Sequence, residues 1–129
     1  MSLARKRGAA RAEYAGYMRS SAWLSRKIRF YAEIKGRGQI AVCQVCGTRG
    51  SKDNPLDLHH LSYEGVVKLP GGGWKSNERD EDLIPLCRAD HQKVHEILDS
   101  RVRDYRGWSR RKASMWIIYG LKTKVRGTR

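Results

Sequence analysis

A short strand over Leu83–Leu86, followed by a helix from Ala89, is predicted by the stretch Asp82-Leu-Ile-Pro-Leu-Cys-Arg-Ala-Asp-His91-Gln-Lys-Val-His95. Its first half is apolar and short, and Pro85 indicates a strand at a sheet edge or a bulge. Residues 89–100 have the apolar spacing of a helix. His91 and His95 are four residues apart, so they share one helix face and can hold one metal ion together.

A second strand is predicted upstream, over Leu56-Asp-Leu-His-His60, because apolar and polar residues alternate there. Neighbouring residues of a strand point to opposite faces of the sheet. One residue of the pair His59-His60 can therefore bind the metal while the other reaches elsewhere, for instance to a water. A hairpin followed by a helix is the simplest fold that brings the two histidine pairs together. The predicted fold class is α+β.

The three cysteines lie close to the four histidines, and all seven residues fall between positions 43 and 95. Cys43 and Cys46 form a Cys-x-x-Cys pair, and Cys87 is followed three residues later by Asp90. In an intracellular protein this spacing indicates a metal site more than a disulfide. A thioredoxin-like motif would need a βαβ pattern, which the sequence does not show.

The long connection of residues 61–81 contains Pro70-Gly-Gly-Gly73 and is predicted to be a flexible insertion. Residues 47–55 are rich in turn formers and are predicted to be a loop. Trp74 and Lys75 either contact DNA as an aromatic-basic pair or belong to the packed body of the protein. Packing is the favoured interpretation for Trp74.

Two further helices are predicted outside the central region. The first covers residues 21–35, with Ser21 as its N-cap. Tyr14 and Tyr17 begin either an earlier turn of it or a separate short helix. The second runs from about Arg110 to Lys122 and is opened by Ser109. One face of this second helix is predicted to combine Met115, Trp116, Ile118, Tyr119 and Lys122.

The net charge of +14 is unevenly distributed. Residues 1–38 have ten basic against two acidic side chains, residues 39–100 seven against ten, and residues 101–129 ten against one. Basic arms around an acidic centre favour a polyanionic partner, although solvated helix faces can have the same composition. The predicted DNA contacts are Arg26, Lys27, Arg110, Arg111 and Lys112.

The length of 129 residues is that of one domain. We expect a basic helical arm over 1–38, a metal-binding core over 39–100 and a second basic helical arm over 101–129. No apolar run is long enough for a membrane span, and no apolar segment follows the basic residues near the N-terminus, as a secretory signal requires. The expected location is the cytoplasm, with no membrane partner.

The two histidine motifs together carry a resemblance to a known family. Leu58-His59-His60 followed by Asp82 to His95 resembles the HNH endonucleases, which have a ββα-metal fold. Cys43-x-x-Cys46 resembles the zinc-knuckle branch of that family. Residues 14–23 are similar to the lead-in helix of phage and restriction members. The resemblance covers residues 14–98, and it implies the cytoplasm of a bacterial or phage-infected host cell.

The resemblance implies a role for each matching residue. His59, His91 and His95 would bind a divalent cation (Mg, Mn, Ni or Zn) that contacts the scissile phosphate as a Lewis acid. His60 would be the general base that takes a proton from the attacking water. Asp57 is similar to an acidic position of the nuclease colicins and would orient the assembly. The products would have a 5′-phosphate and a 3′-hydroxyl.

The chain departs from the family pattern at two positions. Asp82 stands where the family has its asparagine, and it either fixes the connecting loop by hydrogen bonds or is a surface acid. Asp90 stands where a second Cys-x-x-Cys would end. Cys43, Cys46 and Cys87 with Asp90 can still form a tetrahedral structural zinc site, but Asp90 can equally be the N-cap of the following helix.

The expected function is metal-dependent hydrolysis of DNA, most simply double-stranded DNA, by nicking or by cutting both strands. The oligomeric state, monomer or dimer, stays open. The rival interpretation is a zinc-stabilised DNA-binding module without catalysis, which explains the cysteines and the charge but leaves the four histidines unexplained. A nuclease directed at RNA is a third possibility.

Overall fold

The computed structural model describes residues 14–127. The chain forms a small α+β structure with two small antiparallel sheets. Its elements, in order, are α1 (Ser21–Gly36), β1 (Leu56–His60), β2 (Val66–Lys68), β3 (Trp74–Ser76), a short 3₁₀ helix (Asp80–Asp82), β4 (Leu83–Cys87), α2 (Arg88–Ser100) and α3 (Arg110–Gly127). Residues 14–18 are also helical. The first 13 residues of the predicted basic arm over 1–38 lie outside the described residues.

The first sheet joins the two strands predicted from the sequence. β1 and β4 pair antiparallel, with Leu56 opposite Cys87 and His60 opposite Leu83. Pro85 lies in this two-stranded sheet, so the predicted edge position is confirmed. β4 leads without a break into α2, which begins one residue before the predicted start at Ala89. A hairpin and a following helix are therefore the frame on which the histidines stand.

The second sheet lies in the connection between β1 and β4, and here the prediction of a flexible insertion is wrong. β2 and β3 form an antiparallel hairpin. Gly71 and Gly72 have φ angles of 91° and 102°, a region that only glycine adopts cheaply. The N–H of Leu69 donates to the carbonyl of Gly73 at 2.7 Å and closes the turn. The glycines therefore make a tight turn instead of a loose loop.

The hairpin is held down by aromatic packing. The Trp74 ring lies 5.5 Å from the ring of Tyr17 and 6.4 Å from that of Tyr14, measured between centroids. Packing, the favoured interpretation of Trp74, is thus confirmed. The hairpin belongs to a core formed by Tyr17, Trp23, Phe30, Leu58, Val66 and Leu83, with Trp74 packed at its edge.

The N-cap of α1 lies one residue earlier than predicted. Ser20, not Ser21, is the N-cap, and its Oγ accepts the N–H of Trp23 at 3.2 Å. α3 is opened by Ser109 as predicted, since Ser109 Oγ accepts the N–H of Lys112 at 3.0 Å. In the part of the chain that the structure describes, none of the helices has the length and apolar character needed to cross a membrane.

A second core lies between the first sheet, α2 and α3. It contains Val94 and Leu98 from α2 and Ile117 and Ile118 from α3. The predicted face of α3 is wrong, because Ile118 is buried with Ala113 and Ser114 whereas Met115, Trp116 and Tyr119 are exposed. Ala113 and Ser114 are small, so the helix approaches the sheet closely along their side. This approach brings α3 to the histidines of β1.

Candidate metal centres

Three histidines converge where β1, α2 and α3 meet. The Nε2 atoms of His91 and His95, one helical turn apart, are separated by 2.9 Å. His59 comes from β1, and its ring centroid lies 5.3 Å from that of His91. Each of the three offers a ligand atom within 4.8 Å of the others. The structure thus brings together the three residues predicted to hold a divalent ion.

The local environment favours imidazoles that are neutral, which is the form that binds a cation. Burial lowers the pKa of His59 well below its ordinary value, and nearby Arg110 lowers it further. Burial also lowers the pKa of His91 in spite of a carboxylate neighbour. His59 Nε2 is hydrogen-bonded to Ser114 Oγ at 2.9 Å. Its buried Nδ1 has no hydrogen-bond partner among the described residues, so this atom fits the role of a ligand.

Asp57 lies against one of the three histidines. Its Oδ2 is 3.1 Å from His91 Nδ1, and its Oδ1 is 3.5 Å from a guanidinium nitrogen of Arg88. A carboxylate that accepts the N–H of a metal-binding histidine fixes the ring and its tautomer. Here it turns His91 Nε2 toward the cluster. The position agrees with the orienting role expected of Asp57 from the resemblance.

His60 lies on the opposite face of β1 and is not part of the cluster. Its Nε2 is 2.8 Å from Glu78 Oε2, and the Tyr17 hydroxyl donates to the same oxygen at 2.6 Å. The ring is enclosed between those of Trp23 and Tyr63, each with its centroid 4.6 Å away. His60 is only 1% exposed.

The charge state of this buried group follows from its hydrogen bonds. Burial opposes the ionisation of Glu78, but the hydrogen bonds from His60 and Tyr17 outweigh it and hold the pKa of the carboxyl below its ordinary value. Burial lowers the pKa of His60, although Glu78 acts in the other direction. An ionised Glu78 beside a neutral His60 accepts Nε2–H. The buried Nδ1 is then the unprotonated nitrogen, and it has no partner among the described residues.

Sequence reasoning missed Glu78, Tyr17 and Ser114. Glu78 lies in Asn77-Glu-Arg-Asp-Glu-Asp82, where nothing distinguishes one acid from the others. Only the β2–β3 hairpin returns it to His60. Ser114 is a single serine within a helix, and its contact with His59 depends on which face α3 buries.

The cysteines form the second cluster, together with Asp90. The thiol of Cys43 lies 3.3 Å and that of Cys87 3.2 Å from Asp90 Oδ2, and the sulfurs of Cys46 and Cys87 are 4.0 Å apart. The ligand atoms of all four residues lie within 4.8 Å of one another. Sulfurs on a tetrahedral zinc ion are about 3.8 Å apart, given Zn–S bonds of ~2.3 Å. The four side chains could therefore hold a metal such as zinc.

Two thiols of this cluster, those of Cys46 and Cys87, favour the protonated form unless a cation binds them. Burial raises the pKa of Cys87 to about 12, and burial also raises that of Cys46. Metal binding must therefore release protons, so the affinity for zinc rises with pH. None of the three cysteines is in a disulfide.

The structure decides between the two interpretations of Asp90. The N-cap of α2 is Cys87, whose Sγ accepts the N–H of Asp90 at 3.5 Å. Asp90 is therefore the third residue of the helix, and the alternative that it is the N-cap is wrong. Its carboxylate faces the thiols instead. A fourth-ligand role is the one that this geometry supports.

We expect Asp90→Cys to slow the loss of zinc to a chelator and to raise the melting temperature, because soft thiolates favour zinc. The matched control is Asp90→Asn, which keeps the shape but is a poor ligand. It should lower the zinc affinity by at least the ~10–100-fold typical of lost supporting residues. Zinc content and melting curves measure both effects. If Asp90→Asn holds zinc and melts like the parent protein, Asp90 is not a ligand.

Asp82 belongs to neither ligand set, and it is not a surface acid. It is buried, and its carboxylate accepts the backbone N–H of Arg79 at 3.2 Å and pairs with the guanidinium of Arg111. Burial opposes its ionisation, but these hydrogen bonds outweigh it and lower the pKa of the carboxyl. The residue joins the end of the connecting loop to α3. Of the two alternatives, the loop-fixing role is the one that the structure supports.

One of the predicted DNA contacts is wrong. Arg26 is 3% exposed. Its guanidinium pairs with Asp80 at 2.6 Å and donates to the backbone carbonyl of Glu78 at 3.0 Å. The side chain is therefore part of the support for Glu78 and is not available to a phosphate.

The other four predicted DNA contacts differ in their interactions within the protein. Arg110 donates to the carbonyl of His60 at 2.7 Å, and Arg111 pairs with Asp82. Lys27 is half-buried, with its Nζ 5.7 Å from the centre of the Trp23 ring. Lys112 is exposed at the start of α3.

No family model matches the chain, and comparison with curated proteins and with solved structures found nothing similar to it. The chain's own geometry and the motifs of its sequence are therefore what indicate its function. The converging histidines are the strongest part of that geometry.

Proposed function

We propose that this protein is a metal-dependent DNA endonuclease. The observation that carries the proposal is the convergence of His59, His91 and His95. Burial lowers the pKa of His59 and of His91, which favours the neutral imidazole in both. Open metal sites with three protein ligands are typical of hydrolytic metalloenzymes. The resemblance of the two histidine motifs to the HNH endonucleases supports the same reaction and adds the phosphodiester bond as the substrate.

A divalent ion bound by the three histidines supplies Lewis-acid stabilisation of the charge that develops on the phosphate and on the leaving oxygen. Asp57 holds His91 in the orientation that this requires. Ser114 does the same for His59 from the opposite side. The supports for the site thus come from β1, which also provides the ligand His59, and from α3, which provides no ligand.

His60 is the proposed general base. Glu78 accepts Nε2–H and so selects the tautomer in which Nδ1 is free to take a proton. The oxygen of water attacks phosphorus, its proton passes to Nδ1, and the bond from phosphorus to the 3′-oxygen breaks. The 3′-oxygen leaves as a hydroxyl after taking a proton from solvent, and the other product keeps the 5′-phosphate.

Charge supports DNA as the partner. The net charge of +14 is concentrated in the flanks of the sequence, outside the acidic centre. Contacts from Lys and Arg to phosphates position a duplex without selecting its sequence. Double-stranded DNA is therefore the proposed substrate.

The test is the incubation of supercoiled plasmid with the protein and, separately, Mg²⁺, Mn²⁺, Ni²⁺ or Zn²⁺. We expect nicked or linear DNA whose ends carry a 5′-phosphate and a 3′-hydroxyl, and less of it as salt rises. His91→Ala is the matched control for contaminating nuclease, since it removes a ligand of the ion. No cleavage with any of the metals, or equal cleavage by His91→Ala, would contradict the proposal.

A second candidate is a zinc-stabilised DNA-binding module without catalysis. The observation that favours it is the enclosure of His60 between two aromatic rings, which is also the environment of a structural histidine. It leaves the convergence of the other three histidines without a purpose. A protein that shifts plasmid in a gel but leaves it uncut with all four metals would be such a module.

A further inference from the structure

The outer face of α3 exposes large apolar side chains that the proposed chemistry does not use. Trp116 is 64% exposed and Tyr119 72% exposed, and Met115 beside them is also exposed. Residues three apart on a helix are neighbours on its surface. These three residues, Met115, Trp116 and Tyr119, are called the aromatic face below. Adjacent exposed rings of this size indicate a binding surface.

The charged residues of α3, the helix that carries the aromatic face, are all basic. α3 has six basic residues and no acid, namely Arg110, Arg111, Lys112, Lys122, Lys124 and Arg126. The Nζ of Lys112 lies 4.2 Å from the centre of the Trp108 ring. Trp108 meets Trp116 edge to face, with centroids 6.0 Å apart. Cation and ring are thus interleaved along one side of the helix.

The positive charge of α3 distinguishes between the possible binding partners of its exposed apolar surface. A second copy of the chain, docked through the same face, would bring two all-basic helices together, and like charges disfavour such contacts. A polyanion is attracted instead. Phosphates alone do not need aromatic rings, but unpaired bases stack on them, and single-strand binding surfaces combine basic side chains with exposed aromatics.

The opposite face of the same helix contacts the candidate active site. Ser114 bonds to His59, and Arg110 donates to the carbonyl of His60. Only the thickness of one helix, ~10 Å, separates this face from the aromatic face. At the ~3.4 Å per nucleotide of a stacked strand in duplex DNA, that distance corresponds to about three nucleotides.

We infer that the aromatic face of α3 binds unpaired bases of a single DNA strand next to the cleavage site. The inference rests on the proposed function, and it narrows the substrate to DNA with a frayed, displaced or forked strand.

The test compares a labelled single-stranded oligonucleotide with the duplex that it forms with its complement, by fluorescence anisotropy. The full chain is used in its zinc-loaded form, without added cleavage metal. Trp116→Ala/Tyr119→Ala should weaken single-strand binding ~10-fold or more, with little change for the duplex. Trp116→Phe/Tyr119→Phe keeps a ring at each position and should retain most of the affinity. The matched control is Leu24→Ala/Ile28→Ala, which removes exposed apolar side chains from α1 and should change neither affinity.

Three results would overturn the inference. The first is unchanged single-strand binding by the alanine variant, and the second is an equal loss for single strand and duplex. The third is a parent protein that is dimeric in solution and becomes monomeric in the alanine variant, since a second copy then covers the face. Binding to phosphatidylserine vesicles that needs the two rings, with no effect on DNA, counts as the first result.

The inference and the proposed function can fail separately. Single-strand binding that depends on the rings, without plasmid cleavage by the parent protein, would contradict the proposed nuclease activity and support the inferred role of the aromatic face. Plasmid cleavage together with ring-independent single-strand binding would do the reverse.

Discussion

His60→Ala is expected to slow plasmid cleavage by ~10²–10⁴-fold, the usual contribution of a general base. Zinc content and DNA affinity should stay close to those of the parent protein, because His60 belongs to neither ligand set. His60 can act as a base because its Nε2–H donates to Glu78, which leaves Nδ1 as the unprotonated ring nitrogen. Cleavage rates on circular DNA, measured beside metal content and anisotropy, check all three expectations.

A buried ring also contributes to packing, so this variant needs a companion that keeps the space filled. His60→Asn retains a polar side chain between Trp23 and Tyr63 but offers no base. If both variants fold and bind metal, yet either keeps more than a small fraction of the parental rate, His60 is not the base. Glu78→Gln separates positioning from packing, since it keeps the shape of the side chain and weakens the hold on the tautomer. It should lower the rate while the melting temperature changes little.

The dependence of the cleavage rate on pH tests the same assignment of His60 as the base. A base acts in its neutral form, and burial lowers the pKa of His60. Cleavage should therefore persist to a pH below the ordinary titration of histidine and fall only as His60 takes up a proton. A rate that already declines around neutral pH would contradict a buried base.

The features that the sequence predicted well are those encoded by local spacing. The strand around His59, the helix around His91 and His95, and each half of the cysteine cluster, Cys43 with Cys46 and Cys87 with Asp90, depend on residues a few positions apart. Helical and strand periodicity fix which of these side chains share a face. A single antiparallel pairing, that of β1 with β4, then brings His59 close to His91 and His95.

The features that could not be predicted depend on distant contacts. Arg26 is a basic residue in a basic segment, as a DNA contact would be. In the folded protein, however, it is buried, because its guanidinium pairs with Asp80 and donates to the carbonyl of Glu78. The face that α3 buries is likewise decided by its partner. The small residues Ala113 and Ser114 are buried, and Ser114 contacts His59 of β1, whereas the larger Trp116 is exposed. Periodicity shows that a helix has faces, but not which of them meets the core.

Cys43→Ser is expected to destabilise the protein as a whole, whereas His95→Ala should mainly abolish cleavage. Cys43 is 1% exposed and packs in the core with Val45, Leu86 and Val94. Zinc in structural sites contributes ~10–16 kcal/mol of apparent binding free energy in small peptides, and this binding is folding free energy. Losing one thiolate should therefore lower the melting temperature strongly and release zinc.

His95 differs because it is half-buried at the surface of α2, and the ion that it is proposed to bind would serve the reaction. His95→Ala should keep the cysteine-bound zinc and melt near the parental temperature while cleavage is lost. Cys46→Ser is the matched control for Cys43→Ser, since Cys46 belongs to the same cluster but is less buried. If zinc dominates, the two serine variants should destabilise alike, and added zinc should not rescue either at moderate concentration. If packing dominates, Cys43→Ser alone should be severe. Should His95→Ala unfold the chain and Cys43→Ser leave it folded, the division into a structural and a catalytic site is reversed.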